Sequence, residues 1–210
     1  MNWHPIVLGA RQRRVLKHLG PLMTKDSFFL AGGTAIALYL GHRESVDLDW
    51  FAERAFGDGV QLAAELKAAG VKLSVRGSDR GTLHASVSGV QVSFLEFRYP
   101  LLEPLRYFHE GDCQIASLDD LACMKLSALA QRGAKKDFVD LHAIVHRHTP
   151  LAHLISLYSR KFSVRDIRHV LLSLTYFDDA DREPMPRMRS KVTWDGIKKD
   201  FRTWTRQLAR

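Results

Sequence analysis

Phe28-Phe29-Leu30-Ala31-Gly32-Gly33-Thr34-Ala35-Ile36-Ala37-Leu38-Tyr39-Leu40-Gly41-His42-Arg43-Glu44-Ser45-Val46-Asp47-Leu48-Asp49-Trp50-Phe51 is the stretch on which the fold turns. An apolar run from Ser27 to Ala31 predicts a strand, Gly32-Gly33-Thr34 a turn, Thr34 to Leu40 a short helix, and Val46 to Phe51 a second strand. Glycine lets backbone approach a ligand closely and takes positive φ without a Cβ penalty. The first N–H groups of the following helix lack partners inside it and favour an anion such as phosphate. On a strand, residues two apart share a face at roughly 6.5–7 Å. Asp47 and Asp49 can therefore converge on one or two hard cations while Leu48 enters the core. A phosphate cradle one short helix away from metal carboxylates suits a nucleoside triphosphate.

Outward from this unit, Arg11 to Leu22 reads as a first helix ended near Gly20-Pro21. Gln61 to Ala69 is a helix stopped by Gly70, and Val71 to Arg76, Thr82 to Val87 and Val90 to Phe97 read as strands with glycine-containing turns. Pro100 and Pro104 mark a break. From Ser117 the pattern is helical, opening on Ser117-Leu118-Asp119-Asp120, a capping box with Asp in place of Glu. Asp178 to Arg189 reads as a loop before a final helix. The expected fold is α+β: an N-terminal mixed β-sheet with flanking helices over residues 1–110, then a helical part over 111–210 that completes the active site and carries a basic surface.

The helical part holds a second constellation. Lys125 shares a helix face with Leu118, Leu121, Ala128 and Leu129. A lysine there must find an anion or snorkel outward; a triphosphate would be such an anion. Lys136, Asp137 and Asp140 can line one helix edge, either as surface ion pairs worth a few tenths of a kcal/mol each or as part of a site.

Composition narrows the partners. The 210 residues carry a net charge of +8, and 46% are hydrophobic. From Arg147 to the C-terminus there are 14 Lys/Arg against 7 Asp/Glu, leaving 17 against 16 before it. This basic third suggests a polyanion such as nucleic acid, the plain alternative being solvated basic helices. No apolar run is long enough to span a bilayer and the N-terminus does not have the layout of a signal peptide, so a cytoplasmic protein is expected. Cys113 and Cys123 offer neither a disulfide framework nor a metal-ligand pattern.

The quoted stretch, together with Met124-Lys125-Leu126-Ser127-Ala128-Leu129 and Arg132-Gly133-Ala134-Lys135-Lys136-Asp137-Phe138-Val139-Asp140-Leu141, resembles the AbiEii/AbiGii-type nucleotidyltransferase toxins of the DNA polymerase β-like superfamily. The resemblance covers about Phe28 to Ile144, and the Thr193-Trp194-Asp195-Gly196-Ile197 segment also fits. It implies transfer of a nucleotide from an NTP with Mg²⁺ onto an acceptor hydroxyl, with tRNA 3′ ends as the expected acceptor. It also implies a cognate antitoxin and a role in toxin–antitoxin or phage-defence systems. By position, Gly32, Gly33 and Thr34 would cradle the triphosphate, Asp47 and Asp49 hold metal, and Arg43 and Lys125 neutralise phosphate. Lys136, Asp137 and Asp140 match the Lys-Asp-x-x-Asp motif. The alternatives are a protein or small-molecule acceptor, or a catalytically degenerate nucleotide-binding protein.

One position departs from the superfamily. Ser93 stands where a third carboxylate is usual, within Val90-Gln91-Val92-Ser93-Phe94-Leu95-Glu96-Phe97. Glu96 has an odd offset and falls on the opposite strand face unless a bulge intervenes; Asp137 or Asp140 would be the substitutes. Two weaker features remain. His142, His146, His148 and His153 cluster, with zinc conceivable but no pattern of a closed structural site. Trp194, Ile197, Phe201, Trp204 and Leu208 form a helical stripe that reads as a docking face, leaving Lys198, Lys199, Arg202, Arg206 and Arg210 for solvent or RNA.

Overall fold

The computed structural model describes residues 2–208; Arg210, one of the basic residues expected on the last helix, lies outside them. Helix α1 (Ala10–Lys25) is followed by β1 (Phe28–Ala31), α2 (Gly32–Leu40) and β2 (Leu48–Ala52). Then come α3 (Gly59–Ala68), β3 (Leu73–Asp79), β4 (Thr82–Val87) and β5 (Val90–Glu96). Two short strands, β6 (Arg106–Phe108) and β7 (Cys113–Ile115), precede the helices α4 (Leu118–Arg132), α5 (Lys135–Arg147), α6 (Leu151–Phe162), α7 (Arg168–Ser173), α8 (Asp178–Asp181) and α9 (Trp194–Leu208). The expected α+β architecture is borne out as a seven-stranded mixed sheet ordered β3-β4-β5-β2-β1-β7-β6.

Two expectations are corrected. The first helix does not stop at Gly20-Pro21 but runs to Lys25. Leu19 and Met23 continue its fully buried stripe across the proline, and that burial outweighs one lost backbone bond. The proline-marked break is not the end of the sheet: β7 pairs in parallel with β1, and β6 pairs with β7. Three-residue strands are too short to announce themselves by alternation.

Register places the chemistry. β1 and β2 are antiparallel, with Ala31 opposite Asp49; β2 and β5 are parallel, with Asp49 opposite Ser93. Leu48, Trp50 and Ala52 enter the core while Asp49 and Phe51 face the other way, as the period of two requires. Ser117 caps α4 by accepting from the Asp120 backbone N–H (3.0 Å). Asp120 is itself a buried hub: it pairs with Lys161 of α6 at 2.6 Å and accepts from Leu102 N–H at 2.9 Å. The connection between β5 and β6 is thereby tied to two helices. The apolar stripe of α9 docks as expected, with Ile197 and Phe201 fully buried and Phe201 edge-on to Phe138 of α5. Burial of each such side chain contributes about 1.5–3 kcal/mol. Among the described residues no helix is long and apolar enough to cross a membrane.

Candidate functional site

A cavity of about 890 Å³ opens where α2 leaves β1, lined by Gly32, Gly33, Asp47, Asp49, Lys125 and Lys136 at one end. Phe51, Phe97, Tyr99 and Phe162 line the other. The aromatic wall is continuous: Phe51 meets Phe97 at 5.8 Å, Phe97 meets Tyr99 at 5.5 Å, and Tyr99 meets Phe162 at 4.6 Å between ring centroids. One end thus offers charges and hard oxygen donors, the other flat apolar surfaces.

The two glycines make room for side chains. Gly32 has φ +66°, and a Cβ there would collide with the Asp49 carboxylate. A Cβ on Gly33 would collide with the Arg43 guanidinium. Both groups therefore lie directly against the start of α2, whose N-terminus has no side-chain cap. Burial raises the Asp49 carboxyl above its ordinary pKa, only partly offset by the Lys125 charge and the neighbouring Ser93 hydroxyl. A half-buried carboxylate beside an open cavity is a group that a cation would relieve.

Behind this surface lies a closed network of opposite charges. Lys125 Nζ contacts Asp137 Oδ1 at 2.7 Å and Asp140 Oδ2 at 2.8 Å. Arg43 grips Asp140 with both arms, Nε to Oδ1 at 2.6 Å and Nη2 to Oδ2 at 2.8 Å. His42 Nε2 is hydrogen-bonded to Asp140 Oδ1 at 2.9 Å, and Arg132 Nε donates to Asp137 Oδ2 at 2.8 Å. Burial pushes the Asp140 carboxyl upward, but the Lys125 and Arg43 charges win and hold it well below the usual carboxylate range. Burial opposes the charge on Lys125 too, and Asp140 and Asp137 overcome it, so its pKa rises.

This geometry corrects several expected roles. Asp137 and Asp140 are fully buried, face the cations and do not line the cavity, so neither stands in for the absent third carboxylate. Lys125 already meets two internal anions, because α5 brings both aspartates across α4, although it still lines the cavity. Arg43 spends its fork on Asp140 and is only 5% exposed. Thr34 is buried: its hydroxyl is bonded to Ser45 Oγ (2.7 Å) and donates to the Asp47 carbonyl, so it fastens the approach to β2 and does not face a ligand. Lys136 is exposed at the cavity rim. Glu96 points away: it accepts from the Phe56 and Gly57 backbone N–H groups and pairs with Arg98 at 2.9 Å.

The chain matches the family model described as nucleotidyl transferase AbiEii toxin, type IV TA system, over residues 14–207. It belongs to the AbiEii nucleotidyltransferase toxin family. An uncharacterized protein of Aquifex aeolicus (strain VF5) is 38% identical over 180 residues, covering 84% of this chain and 86% of the relative. Two solved structures share the fold. MenT4, a nucleotidyltransferase toxin from Mycobacterium tuberculosis, superposes with a TM-score of 0.56 at 15% identity, covering 94% of this chain and 82% of its own. A candidate nucleotidyltransferase from H. pylori gives 0.53 at 13% identity, covering 94% and 93%.

In this AbiEii chain the sequence pattern missed several site residues. His42 and Arg132 were visible only as flanks of motifs, and nothing local signals that they meet Asp140 and Asp137. Arg187 enters the cavity because residues 187–190 return beside the Gly41–Glu44 turn: Glu44 N–H donates to Arg187 O and Arg189 N–H to His42 O, both at 2.8 Å. That return follows the short helix α8, in a stretch expected to be loop throughout. The aromatic wall needed the sheet register to assemble. A side-chain hydrogen bond joins His84 Nδ1 of β4 to Ser93 Oγ at 3.2 Å, so the place of the missing acid is backed by an imidazole.

Proposed function

We propose that this AbiEii protein moves a nucleoside monophosphate from an NTP to an acceptor hydroxyl, with the 3′ end of a tRNA as acceptor. The observation that carries the reading is the single cavity joining Asp47, Asp49 and Lys125 to an aromatic wall, at a volume suited to one nucleotide. The nucleobase would lie against Phe51, Phe97 and Tyr99, and the triphosphate would run toward the uncapped start of α2. Lys125 gives two of its three protons to Asp137 and Asp140, which leaves the third for a phosphate oxygen. Lys136 and Arg187 would add positive charge at the rim.

In the transfer, the acceptor oxygen forms a bond to the α-phosphorus, the bond from that phosphorus to the bridging oxygen breaks, and pyrophosphate leaves. The acceptor proton passes to a carboxylate or solvent beside it. Asp47 and Asp49 are hard oxygen donors suited to Mg²⁺, and the cradle over Gly32 holds the Asp49 carboxylate toward the cavity. Bound there, the ion would activate the nucleophile and offset charge on the phosphates. Asp137 and Asp140 act at a distance, fixing Lys125 and Arg43. A partner antitoxin, a role in phage defence and a cytoplasmic location belong to the same reading, supported by the family's toxin–antitoxin description.

The test is incubation with each α-labelled NTP, Mg²⁺ and total cellular RNA. Label on tRNA in the wild type, lost in Asp47→Asn and Asp49→Asn, is the expected result. Label on polypeptide instead would move the acceptor to protein. NTP binding without transfer would mark a degenerate site, the reading that Ser93 in the acid's place favours.

A further inference from the structure

On the side of α5 that faces α9, three ligand atoms converge on one point. His142 Nε2 lies 2.9 Å from Asp200 Oδ2, His146 Nε2 lies 3.1 Å from the same oxygen, and the two Nε2 atoms are 3.1 Å apart. They form a nearly equilateral triangle, two nitrogens and one carboxylate oxygen. Two imidazoles four residues apart on a helix stand one above the other, so α5 presents both rings on one face. Trp204 of α9 packs against them at 5.4 and 5.3 Å and fixes their planes.

We infer that His142, His146 and Asp200 bind a divalent first-row transition metal, with Zn²⁺ a suitable occupant. Metal–nitrogen and metal–oxygen bonds of about 2.1 Å would place the ion about 1.2 Å above the plane of the triangle. Imidazole nitrogens select such an ion over Mg²⁺ or Ca²⁺, which the all-oxygen pair Asp47–Asp49 suits better. Three protein ligands leave further coordination positions open. A groove lined by His146, Pro150, Trp204 and Gln207 adjoins the site and gives ion and water a route in. His142 and Asp200 belong to different helices, so the ion would clip α9 to α5, the helix that carries Asp137 and Asp140. The inference does not depend on the transfer reaction.

The test is Zn²⁺ titration of chelator-stripped protein carrying Asp47→Asn and Asp49→Asn, followed by calorimetry and thermal melting. One equivalent of Zn²⁺ per chain and a raised melting temperature are expected. Adding His146→Gln or Asp200→Asn, both at partly exposed positions, should weaken Zn²⁺ binding on the order of 100-fold and abolish the thermal shift. Co²⁺ bound to the otherwise wild-type chain gives a second readout: its imidazole ligand-field bands should vanish in His146→Gln. Failure to bind Zn²⁺, or binding unchanged by His146→Gln and Asp200→Asn, would overturn the site and leave a hydrogen-bonded cluster.

Discussion

Asp49 and Ser93 lie opposite each other on the parallel strands β2 and β5, and the Ser93 hydroxyl favours the charged form of a carboxylate that burial otherwise resists. A hydroxyl therefore occupies the place beside Asp49 where a further carboxylate would repel it. The pair sets how much negative charge the cavity floor holds before any cation arrives.

Ser93→Asp should move metal dependence. A second carboxylate beside Asp49 lowers the stability of the metal-free protein by about 1–3 kcal/mol through like-charge repulsion and desolvation. It should also lower the Mg²⁺ concentration needed for half-maximal transfer. An unchanged Mg²⁺ midpoint in a folded variant would show that position 93 does not reach the ion.

Asp49→Asn should raise the stability of the metal-free protein at pH 7 while removing transfer. The Asp49 pKa is raised in the folded state, so the carboxylate costs stability above that pKa and the cost fades as pH falls through it. Urea melts of wild type and variant should therefore converge on acidification. A variant less stable than wild type at pH 7 contradicts this account.

Lys125→Met should be costly to folding as well as to activity. It strips the shared cation from Asp137 and Asp140, both fully buried, and breaking such a pair costs about 3–5 kcal/mol. Nucleotide affinity must then be compared at a temperature where both proteins are folded. Stability within about 1 kcal/mol of wild type would mean that Arg43 and Arg132 suffice for the two carboxylates.

Acid should destabilise the protein in two steps. Burial lowers the pKa values of His42 and His142, so the stability they contribute is present above the unfolded histidine value of about 6.5 and is lost as pH falls through the folded values. For Asp137 and Asp140, burial is outweighed by Lys125 and its neighbours and the pKa values are lowered; their contribution is lost below about pH 4. Stability measured from pH 8 to 3 should fall first near pH 6 and again below 4. His42→Gln should remove part of the first step.

Replacing Lys199, Arg202 and Arg206 by Gln should weaken RNA binding and flatten its salt dependence, since each neutralised phosphate adds about 0.7–0.9 to the log–log slope. All three residues are exposed on α9, although the Arg202 guanidinium also rests over the Phe177 ring at 5.3 Å. Lys198 is left in place because it pairs with Asp181 at 2.9 Å. NTP binding should not change. An unaltered salt slope would place the RNA contact elsewhere.

The sequence by itself determined the local units: the strand, helix and strand around Gly32-Gly33 (the expected turn being the first residues of α2), the alternation that sends Leu48 inward and Asp49 outward, the Ser117 cap, and the docking stripe of α9. Each rests on a periodicity or a capping pattern contained within a few residues. Only the tertiary structure decided which groups meet. Asp140 collects His42 and Arg43 from nearly a hundred residues away, while Glu96 turns to the Phe56–Gly57 backbone. Likewise β7 joins the sheet beside β1, and Asp200 closes on His142 and His146. No local pattern encodes these pairings. They follow from strand order and helix packing, which place a charge beside its partner and leave a buried carboxylate paired with a cation rather than open to a ligand.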